Sequence, residues 1–166
     1  IQLGKILGEK YEIKNFGNSG STMLKKGDKP YWKQREFKAA LEFNPNIVVI
    51  KLGTNDTKPQ NWKHGADYLD DYKSMISIFS NLTSKPKIYI CLPVPVVESR
   101  WGITDDIVNE KIIPTLRKIS NQTKCKIIDL NTPFNNKHNL IPDKVHPNAK
   151  GATIIAKEVA KSILNS

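Results

Sequence analysis

The sequence predicts an α/β fold in three layers, a parallel sheet covered by helices on both faces. Three observations carry this expectation. The apolar runs at 47–52, 87–92 and 126–130 lack the strict alternation of a half-solvated sheet. A segment of helical periodicity follows each run, the pattern of strand–helix crossover units. The chain has 166 residues, 39% apolar and 25% charged, enough for a single domain over 1–166 that needs no metal or disulfide staple. No internal repeat, low-complexity tract or linker divides it.

Taken in order, Leu3, Ile6 and Leu7 predict a short helix, and Tyr11 and Ile13 before Asn15-Phe16-Gly17 predict a strand ending in a turn. Residues 17–22 form a polar loop. A helix over 37–43 stops at Asn44-Pro45, and the strand at 47–52 ends in Gly53-Thr54-Asn55-Asp56. A helix over 66–82 leads to the strand at 87–92 and a Pro-rich loop. A helix over 105–121 contains Pro114, then come the strand at 126–130 and a helix over 148–164. That makes four strands, and the chain opens on a helix that feeds a strand. A doubly wound sheet of order 2-1-3-4-5 keeps strand 1 inside, beside the switch point where ligands bind. The sheet is therefore expected to lack its first strand here, and the native polypeptide to extend upstream of Ile1 by a strand and its loop.

Composition removes several function classes. The net charge is +10, but it is nearly all lysine, with Arg only at 35, 100 and 117 and no basic stripe, so no nucleic-acid partner is expected. No apolar run approaches the roughly 20 residues that cross a bilayer, so no membrane insertion is expected. Cys91 and Cys125 fall in predicted strands without metal-ligand spacing and read as buried free thiols, not a disulfide pair. His64 and His138 read as surface residues. Neither a G-x-G-x-x-G nor a Walker loop is present, which argues against a nucleotide binder.

Three constellations can carry chemistry. Gly53-Thr54-Asn55-Asp56 lies at the carboxyl end of a buried parallel strand, where open α/β sheets place their sites. Asn55 there either donates its amide to a developing oxyanion or simply builds the turn. Asp143 and His146 are three residues apart before the last helix. The carboxylate can fix the imidazole tautomer and leave Nε2 as a general base, or the two can serve as turn former and cap. Pro147 is expected at the first helical position. Trp32, Trp62 and Trp101 follow strands. They either gather at one rim as a platform for a sugar ring, with Arg100 beside Trp101 suited to a carboxylate, or fill gaps between loop and helix. Gly17-Asn18-Ser19-Gly20-Ser21 approaches a nucleophile elbow, but its fifth residue is Ser, so Ser19 is a weak nucleophile candidate.

Asn15-Phe16-Gly17-Asn18-Ser19-Gly20-Ser21-Thr22, Gly53-Thr54-Asn55-Asp56 and Asp143-Lys144-Val145-His146-Pro147 resemble, in order, the second, third and fifth blocks of the SGNH/GDSL hydrolases. The resemblance spans essentially the whole chain. It implies a flavodoxin-like sheet and a serine esterase needing no metal or organic cofactor. Gly20 would give a backbone N–H and Asn55 its amide to the oxyanion hole, with His146 as base and Asp143 orienting it. The family's first block, Gly-Asp-Ser, which carries the nucleophile, occurs nowhere in the chain. The opening Ile1-Gln2-Leu3-Gly4-Lys5-Ile6-Leu7 resembles the helix that follows that block, which places the nucleophile upstream of residue 1. Trp32, Trp62, Trp101 and Arg100, with no apolar lid in the loops, favour an acetylated carbohydrate, a small-molecule or oligosaccharide ester, as substrate. The alternative is a non-catalytic carbohydrate-binding domain of the same ancestry. Family analogy suggests a secreted or periplasmic setting.

Overall fold

In the computed structural model, which describes residues 2–165, three strands run parallel in the order β1 (Ile47–Ile50), β2 (Lys87–Leu92), β3 (Lys126–Asp129). Val48 pairs with Ile88, and Tyr89 with Lys126. Side chains alternate across the sheet, so Val48, Ile50, Ile88, Ile90 and Leu92 enter one core cluster while Tyr89, Cys91 and Ile128 enter another. Helices cover both faces: α4 (Tyr68–Ser80) and α6 (Ile113–Thr123) on the first, α1 (Gln2–Leu7) and α7 (Ala149–Leu164) on the second. Burial on both sides is why these strands read as continuous apolar runs. The remaining helices are α2 (Arg35–Glu42), α3 (Pro59–Trp62) and the short α5 (Asp105–Ile107). Among the described residues no helix is long and apolar enough to cross a membrane.

Three local expectations are corrected. The strand expected around Tyr11 and Ile13 does not form; the segment carries no ladder partner, and a strand exists only where a neighbour takes its backbone groups. Both side chains still pack half-buried against the second cluster. The expected upstream strand lies outside the described residues. The helix expected over 105–121 is broken into α5, a π-helical turn at Val108–Ile112, and α6. Pro114 falls in the first turn of α6, where its missing N–H costs nothing, so the widened turn lets the proline sit in an otherwise continuous helical path. The last helix begins at Ala149 rather than at Pro147, because the Asn148 side chain caps it by accepting from Gly151 N at 3.0 Å.

Cys91 is buried and Cys125 partly so, and both are free thiols. Burial pushes the Cys91 thiol up to about 12, which leaves it unreactive.

The cap fixes where α7 starts, and therefore where the turn before it stands. Asn148→Ala is expected to cost about 1 kcal/mol in urea unfolding, with the far-ultraviolet dichroism of the native state unchanged.

Candidate active site

Three buried side chains pin the loop that carries Gly20. Asp56, fully buried, receives Met23 N on Oδ2 at 3.0 Å and Leu24 N on Oδ1 at 2.7 Å. Asp71 accepts Lys25 N at 2.8 Å and pairs with its ammonium at 3.3 Å. Asn61 accepts Asp28 N at 2.7 Å and donates to the Asn55 carbonyl at 2.8 Å. The loop and the turn after β1 are thereby one rigid unit. Burial pushes the Asp56 carboxyl up to about 6, outweighing the pull of its two backbone donors.

Gly53 opens the turn with φ +133°, a conformation side chains rarely adopt. A Cβ there would stand 2.5 Å from Tyr68 Oη and 3.2 Å from Ile112 Cγ2. Tyr68 itself donates to the Leu52 carbonyl at 3.3 Å. The glycine lets the chain turn over this tyrosine and the π-helical segment, and aims Asn55 back at the Gly20 loop. One Asn55 amide hydrogen goes to the Ser21 carbonyl at 3.3 Å. The N–H of Gly20, whose φ is +79°, makes no hydrogen bond among the described residues.

Asp143 and His146 meet as their spacing predicts. His146 Nδ1 lies 2.8 Å from Asp143 Oδ2, while Asp143 Oδ1 accepts the backbone N–H of His146 at 2.6 Å and of Val145 at 3.0 Å. Those backbone donors first, and then the imidazole, hold the Asp143 carboxyl down at about 2. It is an anion throughout the neutral range, so Nδ1 carries the proton and Nε2 is the basic nitrogen. His146 is 62% exposed, and its Nε2 makes no hydrogen bond among the described residues.

A cleft of about 190 Å³ brings Gly20, Asn55 and His146 together above the end of β1. Lys51 also lines it; surrounding protein lowers the pKa of its ammonium although the residue remains open to the cleft. Ser19 lines the cleft, and Ser21 is buried with its hydroxyl donating to Asn18 Oδ1 at 3.1 Å. Neither hydroxyl reaches His146 by a hydrogen bond among the described residues.

The tryptophans divide. Trp101 is 55% exposed with its ring 5.7 Å from that of His146, and the Arg100 guanidinium lies 4.5 Å over the indole. Trp32 and Trp62 do not line the cleft and pack instead against the first core cluster. Trp32 donates to the Met23 carbonyl at 2.7 Å and packs on Phe37, while Trp62 packs on Tyr68 and Gly65. Both fill gaps beneath the Gly20 loop and the turn after β1. His138 is exposed and His64 half-buried, neither in the cleft. Sequence reasoning gave no role to Asp56, Asn61 or Asp71. The available signal was Asp56 itself, an acid just after an apolar strand.

The three-layered sheet, with a cleft at the carboxyl end of β1 and an Asp–His pair facing an amide donor, defines a doubly wound α/β protein with its site at the strand ends. The chain belongs to the GDSL-like lipase/acylhydrolase family, whose model matches residues 2–154. It is 38% identical over 180 aligned residues to an acetylxylan esterase of Xylanibacter ruminicola, a match covering 98% of this chain. The chain spans 38% of the length of that relative. Among solved structures it resembles the acetyl xylan esterase AlAXEase, with TM-score 0.70 and 22% identity over 89% of this chain and 78% of the other. It also resembles Est24, a carbohydrate acetylesterase from Sinorhizobium meliloti, with TM-score 0.75 and 14% identity over 99% of this chain and 83% of the other. These likenesses show the shared fold.

The Asp56 carboxyl favours the folded state while protonated. Its contribution is whole below pH about 4 and is lost as the pH rises through about 6. Asp56→Asn cannot ionise and sets an amide N–H against one of the two donors. It is expected to lower stability by about 1–3 kcal/mol. The deficit, measured by urea unfolding, should be smaller at pH 8 than at pH 4.

Proposed function

We propose that this chain supplies the base and the oxyanion donors of a serine esterase that removes acetyl groups from carbohydrate. The observation that carries the reading is the cleft in which His146, oriented by Asp143 at 2.8 Å, faces Asn55 and the free N–H of Gly20. The identity to an acetylxylan esterase gives the substrate class its support. The attacking serine comes from a segment preceding Ile1, as the family resemblance implies.

In this mechanism the serine hydroxyl gives its proton to His146 Nε2 as its oxygen adds to the ester carbonyl. Asp143 stabilises the imidazolium so formed. The carbonyl oxygen becomes an oxyanion, held by the Gly20 N–H and the Asn55 amide, donors already fixed by the Asp56 and Asn61 contacts. Collapse expels the sugar hydroxyl, which takes the proton from His146 and leaves an acetyl-serine. Water, deprotonated by His146, then attacks the acetyl group and releases acetate and free serine. Trp101 beside His146 offers the sugar ring an apolar face.

Asn55→Ala is expected to lower kcat on acetylated xylo-oligosaccharides by about 10²- to 10³-fold. His146→Ala should lower it about 10⁴-fold or more, with unchanged melting temperatures showing that both variants fold.

Labelling the intact protein with a fluorophosphonate and mapping the adduct by tandem mass spectrometry tests the nucleophile. An adduct on a serine before Ile1 supports the assignment, and one on Ser19 moves it. A folded protein that takes no label, and whose affinity for oligosaccharide survives Asn55→Ala and His146→Ala, is a binding domain instead.

A further inference from the structure

Arg100-Trp101-Gly102-Ile103 is a two-residue hairpin, closed by Arg100 N to Ile103 O at 3.1 Å and Ile103 N to Arg100 O at 2.8 Å. Its central residues have φ of +53° and +79°, the pairing of a type I′ turn, which normally takes Asn-Gly or Gly-Gly. A tryptophan in the left-handed region is strained, because its Cβ crowds the following carbonyl oxygen. The gain in packing is small, since Trp101 stays 55% exposed. The strain holds an indole over the edge of the cleft, against His146.

The guanidinium on that indole is also out of the ordinary for this chain. Arg35 pairs with Glu36 at 3.2 Å, and Arg117 lies close enough to Asp129 to lower its pKa. Arg100 meets no side-chain carboxylate among the described residues; it donates through Nη1 to the Asp143 carbonyl at 3.3 Å. Its remaining N–H groups form a planar fork suited to a carboxylate. The neighbouring acid, Glu98, is taken by Lys144 at 3.6 Å. Across the hairpin, Gly102 lies against the Lys58 stem, and the cleft itself is lined by Lys51 and by no Asp or Glu. The rim thus sets the Arg100 and Lys144 cations beside the Asp143 and Glu98 carboxylates, with a half-exposed indole between them and His146.

We propose that this hairpin tip is a subsite for an acidic sugar, a uronic acid residue next to the esterified sugar, whose ring rests on Trp101 and whose carboxylate meets Arg100. The proposal rests on the carbohydrate-esterase reading and adds a preference within it. A neutral glycan would use the indole and leave the fork without an anion; a uronate uses both.

The test compares two ligands on the intact protein: xylotetraose, and the same tetraose carrying one glucuronic acid. Affinities come from calorimetry at low salt, and kcat/KM from the acetylated forms. The acidic ligand is expected to be favoured about three- to tenfold, with the preference shrinking as salt is raised. In Arg100→Gln the acid-to-neutral ratio should fall to about one. Because the ratio is taken within one variant, any general disturbance of the Asp143 turn acts on both ligands alike. Turnover without an acid preference, or a preference that survives Arg100→Gln, overturns the subsite alone. Absence of both binding and turnover overturns the carbohydrate reading together with it.

Discussion

The carboxylate of Asp56 is the contact on which the site geometry depends. It follows Asn55 directly in the turn after β1 and accepts two consecutive backbone N–H groups from the loop that carries Gly20. Neither donor could be left unmet, because Met23 and Leu24 are fully buried and an unpaired buried N–H costs as much as the bond it lost. Two loops separated in the chain by α2 and β1 are therefore held in register by Asp56, with Asn61 adding a second tie between them. The protein accepts a carboxyl shifted by burial to gain a fixed distance between two oxyanion donors.

The second half of the site is fastened in a different way. The Asp143 turn is exposed, so it is stabilised by local geometry: Asp143 bonds to the backbone of Val145 and His146 and to the imidazole. The loop after β2 ties it down. Val97 N donates to the Lys144 carbonyl at 2.8 Å, Glu98 pairs with the Lys144 ammonium, and Arg100 reaches the Asp143 carbonyl. One side of the cleft is buried and stiff, while the other is solvated and laced. Any group bound at the hairpin tip touches the same segment that positions the base.

Much of this was legible in the sequence because it rests on local pattern. Strands buried on both faces show as unbroken apolar runs, and an Asp three residues before a His can meet it within one turn whatever the fold. The elements that were misjudged depend on non-local partners. Tyr11 and Ile13 have the composition of a strand, but a strand also needs a neighbour. Trp32 and Trp62 lie outside the long helices just as Trp101 does, yet their neighbours Phe37 and Tyr68 hold them half-buried against the core. Asp56 looked like a turn residue because its donors lie more than 30 positions away. Pro114 made sense only once the π-helical turn before it was visible.

The unequal exposure of the three tryptophans makes the protein its own optical reporter. Trp32 and Trp62 are half-buried, so a dissolved quencher such as iodide reaches chiefly Trp101, and the local cations draw that anion toward it. The accessible part of the fluorescence therefore reads the rim of the cleft, while the protected part reads the packing beneath the Gly20 loop. Occupancy of the cleft and integrity of its floor can be followed separately in one unlabelled sample.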